Sequence, residues 1–179
     1  MSDCKLCGIV QAKVAAKVVY YDDICVAFLK QMPAAPGHMM LVPKKHYTIF
    51  EQVPDIEITH LFRIASKLSS AAFDTFGHGG TNIIVNNGGS AGQTHPHFSI
   101  EIIPRNENDG LNLMWQPKQL SEEEMSTAEL MLKEETKNIG GFGKVAKEEK
   151  KEIKEAKKEV LKEDKGKESY LFKSLVKMP

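Results

Sequence analysis

The sequence has 179 residues, of which 41% are hydrophobic, and this is enough for one ordinary domain with a core. Its 24 Lys and Arg residues equal its 24 Asp and Glu residues, so a net charge of zero excludes a general electrostatic pull toward nucleic acid, and no specific nucleic-acid partner is expected. No apolar run reaches the roughly 18 residues of a membrane span, and the start lacks a signal-peptide pattern, so we expect a cytoplasmic protein with no membrane partner.

Three short strands are predicted in the first part of the chain. Residues 16–30 are typical of two strands that flank a turn at Asp22 and Asp23. Prolines and a glycine at 33–37 predict a loop, and the run at 38–45 predicts the third strand.

A long helix and two further strands follow. Helical spacing of an apolar stripe predicts a helix over 55–76, with Asp55 as its N-cap. The residues of this stripe are Leu61, Ile64, Ala65, Leu68 and Ala72. Strands are predicted at 82–87 and 97–103, on either side of a glycine-rich turn. These elements predict an α+β domain over residues 1–110, built from an antiparallel five-stranded sheet and one main helix.

Residues 111–179 have a different composition and are predicted as a helical, Lys/Glu-rich extension that packs on or beside the domain. Ser121 and Glu124 have capping-box spacing at the start of a helix. Lys and Glu alternate through 144–165, which favours a solvated helix with one narrow packing seam over a nucleic-acid-binding arm. The apolar end at 168–179 is suited to docking, either on the domain or on a second subunit.

The segment around 95–101 carries a row of polar side chains that resembles an active site. Alternate residues of a strand point to the same face of a sheet, so we expect the four polar residues to share one face. They are His95, His97, Ser99 and Glu101.

Three segments of the chain resemble the histidine triad (HIT) family of nucleotide hydrolases and transferases. They are "AFLKQMPAAPGHMMLVPKKHY" at 27–47, "VNNGGSAGQ" at 85–93, and the run from "AGQT" to "IIPR" at 91–105. The resemblance covers roughly residues 4–110. It implies a HIT-like fold, a purine nucleotide or related phosphorylated small molecule as partner, and a homodimer.

The resemblance also implies that the catalytic strand of this chain departs from the family pattern. In the family, the central of three alternating histidines attacks the α-phosphorus of a nucleotide. Counted from Gln93 and from Pro104, His97 matches the first histidine, Ser99 takes the place of the nucleophile, and Glu101 takes the third position. Catalysis is therefore expected to be lost or altered.

A second alignment of the same residues remains open. "HPH" at 95–97 also resembles the His-Pro-His motif of the related galactose-1-phosphate uridylyltransferases, in which the second histidine is the nucleophile. That alignment would make His97 the nucleophile, but the spacings to Gln93 and Pro104 argue against it.

The resemblance implies a structural zinc site. Several HIT proteins bind zinc through a Cys-x-x-Cys near the start, a histidine after the third strand and the first triad histidine. The corresponding residues here are Cys4, Cys7, His46 and His97. A reduced dithiol without metal is the alternative, while Cys25 is expected to be buried in a strand.

The resemblance implies a nucleotide site in the glycine-rich turn. Asn86, Gly92, Gln93 and Thr94 match positions that contact phosphate or the leaving group, although an ordinary hairpin turn would also favour such residues. Lys30 stands where the family usually has an aspartate that holds the ribose hydroxyls, and it would meet a phosphate instead.

The remaining histidines receive simpler interpretations. His38 is expected to support the site from behind, as in the family. His60 and His78 are expected to be plain surface groups.

Three functions stay open. The first is a HIT-type nucleotide-binding protein with lost or altered catalysis. The second is an active hydrolase that works through His97 or His95. The third is a zinc-stapled dimeric interaction module.

Overall fold

The computed structural model describes residues 4–137 and Ile139. Five strands form one antiparallel sheet in the order β1-β2-β3-β5-β4. The strands are β1 Val18–Tyr21, β2 Cys25–Leu29, β3 Met39–Pro43, β4 Gly80–Ile84 and β5 Ile100–Arg105. The helices are α1 Lys5–Val10, α2 Asp55–Phe76 and α3 Glu122–Thr136.

Both faces of the central sheet are buried. Successive side chains of a strand point to opposite faces, so each strand contributes to two cores. On β2, Cys25 and Ala27 join the core that α2 covers, while Val26 and Phe28 join a second core under α1. Cys25 is fully buried, as expected. The short helix α1 was not predicted, although it contributes Leu6 and Ile9 to the second core.

The long helix confirms the predicted bounds and corrects its cap. Its buried residues are the predicted stripe of Leu61, Ile64, Ala65, Leu68 and Ala72. The N-cap is Pro54, and no side chain caps the helix, so the prediction that Asp55 is the N-cap was wrong. Asp55 is instead the first helical residue, where its carboxylate favours the positive end of the helix dipole.

Two predicted strands are displaced. β4 ends at Ile84 instead of continuing to residue 87, and β5 begins at Ile100 instead of His97. His95, Pro96 and His97 form a tight bend, in which the His97 amide donates to the His95 carbonyl at 2.8 Å. Pro96 has a fixed φ and no N–H to add to a strand ladder, which explains why the ladder starts later.

The C-terminal part of the chain forms a separate unit, and the boundary lies between Met114 and Trp115. Within it, α3 has the predicted capping box, with Ser121 and Glu124 bonded reciprocally. The predictions for 144–165 and 168–179 lie outside the described residues. None of the described helices is long and apolar enough to cross a membrane.

Candidate functional site

Two cysteines at the start of the chain lie against two histidines. The Cys7 Sγ is 3.2 Å from Nδ1 of His46 and 3.4 Å from Nδ1 of His97. The Cys4 Sγ is 3.5 Å from the same His97 nitrogen. The four ligand atoms all lie within 4.8 Å of one another. The structure thus brings together the four residues for which the sequence predicted a metal site.

His97 presents an unprotonated nitrogen to this cluster. Its Nε2 lies 3.0 Å from the Pro43 carbonyl oxygen, which can only accept, so Nε2 carries the proton. The Nδ1 lone pair then points toward the two sulfur atoms. The ring is fully buried, and burial is the main reason why the pKa of His97 lies below its ordinary value. A neutral imidazole held by a backbone carbonyl is the usual form of a histidine metal ligand.

The donor set fits a closed zinc site. Tetrahedral zinc with bonds of about 2.3 Å to sulfur and about 2.0–2.1 Å to nitrogen separates a sulfur from a nitrogen by about 3.6 Å. Three of the four sulfur–nitrogen distances in the cluster are 3.2, 3.4 and 3.5 Å, and the fourth lies within 4.8 Å. Two thiolates and two imidazoles would complete the coordination of zinc without a water ligand.

The polar row at 95–101 is divided between different surroundings. His95 lies in the bend, and only Glu101 of the four residues belongs to β5, so the prediction that all four residues share one strand face was wrong. His97 belongs to the cysteine cluster. Phe98 and Ile100 pack in the core that α2 covers, and Ser99 between them is half-buried, directly before β5.

Among the described residues, Ser99 has no partner that would activate its hydroxyl. Within the described residues, its Oγ makes no hydrogen bond. The nearest candidate on the strand, Glu101, is occupied: Lys30 Nζ lies 2.6 and 2.7 Å from its two oxygens, and His38 Nε2 lies 2.5 Å from Oε2. A serine without a base is a weak nucleophile.

The contacts of His38 and Lys30 hold Glu101 in its ionised form. The Ala34 amide donates to Nδ1 of His38 at 3.0 Å, so the proton of this imidazole lies on Nε2 and is donated to Glu101. Burial by itself would raise the pKa of Glu101, but the hydrogen bonds from His38 and Lys30 and the positive charge of Lys30 outweigh it and lower the pKa. His38 thus supports the site from behind, as the resemblance implied.

The glycine-rich loop is closed by one side chain. Gln93 accepts from the Gly88 amide at 2.8 Å and donates to the carbonyls of Thr48 at 2.7 Å and His95 at 2.8 Å. Gly88 and Gly92 have φ of 87° and 85°, which L-residues with a side chain rarely adopt. The side-chain amide of Gln93 therefore holds the loop in shape. Contacts with a ligand would come from the neighbouring residues of the loop.

Two adjoining cavities lie beside this loop and share Thr94 and His95. The first, of about 360 Å³, lies between α1 and β2 and has apolar walls with Lys5 and Lys30 among them. The second, of about 370 Å³, lies against the glycine-rich loop. The other residues of the second cavity are Thr48, Ile49, Gly88, Gly89, Gln93 and Pro96.

The predicted site residues divide according to these cavities. Lys30, Gln93, Thr94 and His95 line one or both of them. Five other predicted residues do not line either cavity: Asn86, Gly92, His97, Ser99 and Glu101. Of these, Asn86 is half-buried and Gly92 is exposed on the loop.

Two predictions about histidines were wrong. His78 is only 5% exposed, and Nδ1 of its ring lies 3.1 Å from the Asn106 side-chain nitrogen. His60 is half-buried, with its Nε2 2.7 Å from Asp22. Both residues depend on contacts with distant segments, for which the sequence gives no local signal.

Asp22, Cys25 and His60 form a second group of potential metal ligands. The Asp22 carboxylate already accepts hydrogen bonds from Tyr20, from His60 and from two backbone amides, so it has little capacity left for a metal.

Comparisons with known proteins agree with this architecture. The HIT domain family model matches residues 11–108. An uncharacterised HIT-like protein of Methanocaldococcus jannaschii is 41% identical over 107 residues, which are 60% of this chain and 82% of that protein. Adenylylsulfatase HINT3 of Arabidopsis thaliana is 34% identical over 110 residues, which are 62% of this chain but only 56% of that protein.

A solved structure has the same fold. It is a zinc-bound histidine triad family protein from Mycobacterium smegmatis, with a TM-score of 0.60 and 26% identity, and the match covers 65% of this chain and 84% of that one. The predicted α+β fold is confirmed.

Proposed function

The chain belongs to the HIT family, and from this premise we propose that it binds a purine nucleotide or a related phosphorylated small molecule, with hydrolysis lost or altered at Ser99. The pair of adjoining cavities carries the proposal. Apolar walls suit a base, and a glycine-rich loop suits phosphate oxygens, so a nucleotide could extend across Thr94 and His95 from one cavity into the other.

The chemistry of the triad strand supports the loss of catalysis. The family reaction needs an imidazole nucleophile, and Ser99 offers a hydroxyl without a base among the described residues. His97 cannot replace it, because one ring nitrogen donates to Pro43 and the other faces the cysteines. The ionised Glu101 is held by two donors, so it is a poor proton carrier near neutral pH.

Slow hydrolysis through His95 is the second candidate function. Within the described residues, the imidazole of His95 makes no hydrogen bond, so both ring nitrogens remain available. The residue also lines both cavities, at the point where a phosphate would pass between them. The name of adenylylsulfatase HINT3, which is similar to this chain, indicates that this relative hydrolyses an adenylyl compound, and this supports the second candidate.

We further propose that Cys4, Cys7, His46 and His97 bind structural zinc. The support is the geometry of the donor atoms, the unprotonated Nδ1 of His97 and the zinc bound to the relative from Mycobacterium smegmatis. Bound there, zinc would tie the start of α1 to the segment before β5 and to the loop after β3.

A homodimer is the third part of the proposal. Ser69 on α2 bonds to Thr81 on the edge strand β4, so this side of the helix faces β4. Phe62 and Phe73, at i−7 and i+4 from Ser69, lie on the same helical stripe and are exposed, as is Ile83 on β4. Exposed apolar residues beside an open strand edge suit pairing with a second copy, and such a dimer is also what an interaction module would need.

Hydrolysis of adenosine 5′-phosphoramidate, followed by phosphorus NMR with zinc present, tests the proposal. We expect no turnover over a day at high protein concentration, while AMP raises the melting temperature because it binds the folded state. Turnover that disappears in His95→Ala but persists in the control His60→Gln would favour the second candidate. Absence of both turnover and nucleotide-induced stabilisation would leave only the interaction module.

A further inference from the structure

The cavity between α1 and β2 combines apolar walls with positive charge. Its walls include Leu6, Ile9, Phe28 and Met40, all buried in one core cluster. Lys5 and Lys30 also line it, whereas none of the described residues that line it is Asp or Glu. Among its described lining residues the cavity therefore offers ammonium donors and no carboxylate, while Glu101, which pairs with Lys30, is not part of the lining.

Lys30 keeps capacity for a ligand in spite of its ion pair. An ammonium group has three N–H donors, and two acceptor oxygens of Glu101 are its partners within the described residues. Its side chain is 32% exposed and lines the cavity. Lys5 likewise donates to Gln31 at 3.0 Å and has donors left.

A free ribose diol finds poor partners in this arrangement. Hydroxyl groups that are recognised by an acidic side chain donate to its oxygens, and no such side chain lines this cavity within the described residues. In dinucleotide-binding proteins, an acidic residue selects the free 2′-hydroxyl, and a basic residue accommodates a 2′-phosphate. Charge complementarity of the same kind would let a lysine in this cavity contact a phosphate on the ribose.

We infer that this cavity selects nucleotides whose ribose carries a phosphate monoester, at the 2′ or 3′ position, through the ammonium groups of Lys30 and Lys5. The inference rests on the proposed nucleotide-binding function and specifies its ligand class. The base would occupy the apolar walls, and the 5′-phosphate would reach the glycine-rich loop past Thr94 and His95. The ribose phosphate would then meet the two lysines, where a charge-assisted contact is strongest.

Calorimetric titration of the full, zinc-loaded chain tests the inference. The ligands are AMP, ADP, adenosine 3′,5′-bisphosphate and adenosine 2′,5′-bisphosphate at one fixed ionic strength. ADP is the control for charge, because it has two phosphates but none on the ribose. We expect at least one bisphosphate to bind about tenfold more tightly than ADP, as one additional hydrogen bond to a charged group would provide. The preferred bisphosphate identifies the 2′ or 3′ position.

Substitutions test whether Lys30 causes the preference for the bisphosphate. Lys30→Gln should remove the preference for the bisphosphate, whereas Lys67→Gln, the same change at an exposed residue of α2, should preserve it. Because Lys30→Gln leaves Glu101 without its cation, Lys30→Gln combined with Glu101→Gln serves as a second variant with neutral partners. It should also lose the preference.

The outcomes distinguish a failure of the ribose-phosphate preference from a failure of nucleotide binding. AMP, ADP and both bisphosphates binding with equal affinity would overturn the inference but leave nucleotide binding intact. A preference that survives in both Lys30 variants would also overturn it. If no nucleotide binds, the proposed function itself fails, and inorganic phosphate as a further titrant shows whether any anion is bound at all.

Discussion

Lys30 and Glu101 form a two-point ion pair between positions 71 residues apart, with the ammonium nitrogen 2.6 and 2.7 Å from the two carboxylate oxygens. Lys30 directly follows β2, and Glu101 lies on β5. The resemblance to the family implies that each residue departs from the usual pattern at its own position, and the two residues are in contact in the structure. By the same resemblance, Lys30 puts a donor where the family usually has an acceptor, and the proposed ligand class follows from this exchange.

The Lys30–Glu101 pair should make the free energy of unfolding depend on pH in the acid range. The folded-state pKa of Glu101 lies below its usual 4.5, so its contribution is fully present above that pH and is lost as the pH falls through the folded pKa. Glu101→Gln should lower the free energy of unfolding at pH 7 by about 1–3 kcal/mol, because Lys30 and His38 lose a charged acceptor. Urea unfolding as a function of pH checks this.

The difference between wild type and Glu101→Gln should shrink as the pH falls below 4.5. Glu107→Gln, a change at an exposed glutamate, should show little difference at any pH. A constant difference between wild type and Glu101→Gln across the acid range would contradict the assignment.

Removal of one cysteine should release the proposed zinc. Cys7→Ser is expected to lose most bound zinc and to melt roughly 5–10 °C lower, which corresponds to about 2 kcal/mol for a domain of this size. Elemental analysis and thermal unfolding provide the two measurements. Cys25→Ala, at a buried thiol outside the cluster, should retain zinc. Equal zinc content in Cys7→Ser and wild type would contradict the proposed four-ligand site.

A histidine at position 99 should restore part of the family chemistry. Ser99→His would place an imidazole where the nucleophile is expected, and we expect hydrolysis of adenosine 5′-phosphoramidate on the order of 10²-fold faster than in Ser99→Ala. Phosphorus NMR measures both rates. No gain in a folded, nucleotide-binding Ser99→His variant would show that Lys30 and Glu101 also prevent the reaction, and adding Lys30→Asp with Glu101→His would test this.

A charge on the exposed stripe should disrupt the proposed homodimer. Phe62→Glu is expected to shift the chain from a dimer to its monomer mass of 20.0 kDa in light scattering, because a buried unpaired carboxylate is costly. Ile56→Glu, at an 82% exposed position on the same helix, is the matched control and should remain dimeric. A wild-type chain that is already monomeric at micromolar concentration would refute the dimer.

The sequence predicted the elements with strong periodic patterns most accurately. The helix over 55–76 has the predicted bounds because its apolar stripe is regular and Gly77 terminates it with a left-handed φ of 65°. The predicted start of β5 failed because alternation of polar and apolar residues continues through Pro96, although the backbone there bends. Local pattern alone does not distinguish a strand from such a bend.

The candidate site was predicted in part, and its long-range partners were not. Resemblance to the family grouped Cys4 and Cys7 with the two histidines, which lie together in the structure. It gave no indication that Lys30 pairs with Glu101, because an ion pair depends on which strands are neighbours in space. The burial of His78 depends in the same way on tertiary contacts.

The short helix α1 connects the two proposed ligands. A helix of 6 residues with no side-chain cap is too short to be stable alone, so its position depends on Leu6 and Ile9 and on the anchoring of Cys4 and Cys7. One side of it holds the cluster of sulfur and nitrogen atoms, and another lines the apolar cavity. Metal and nucleotide would therefore bind with positive cooperativity, and by reciprocity each would raise the affinity for the other by the same factor.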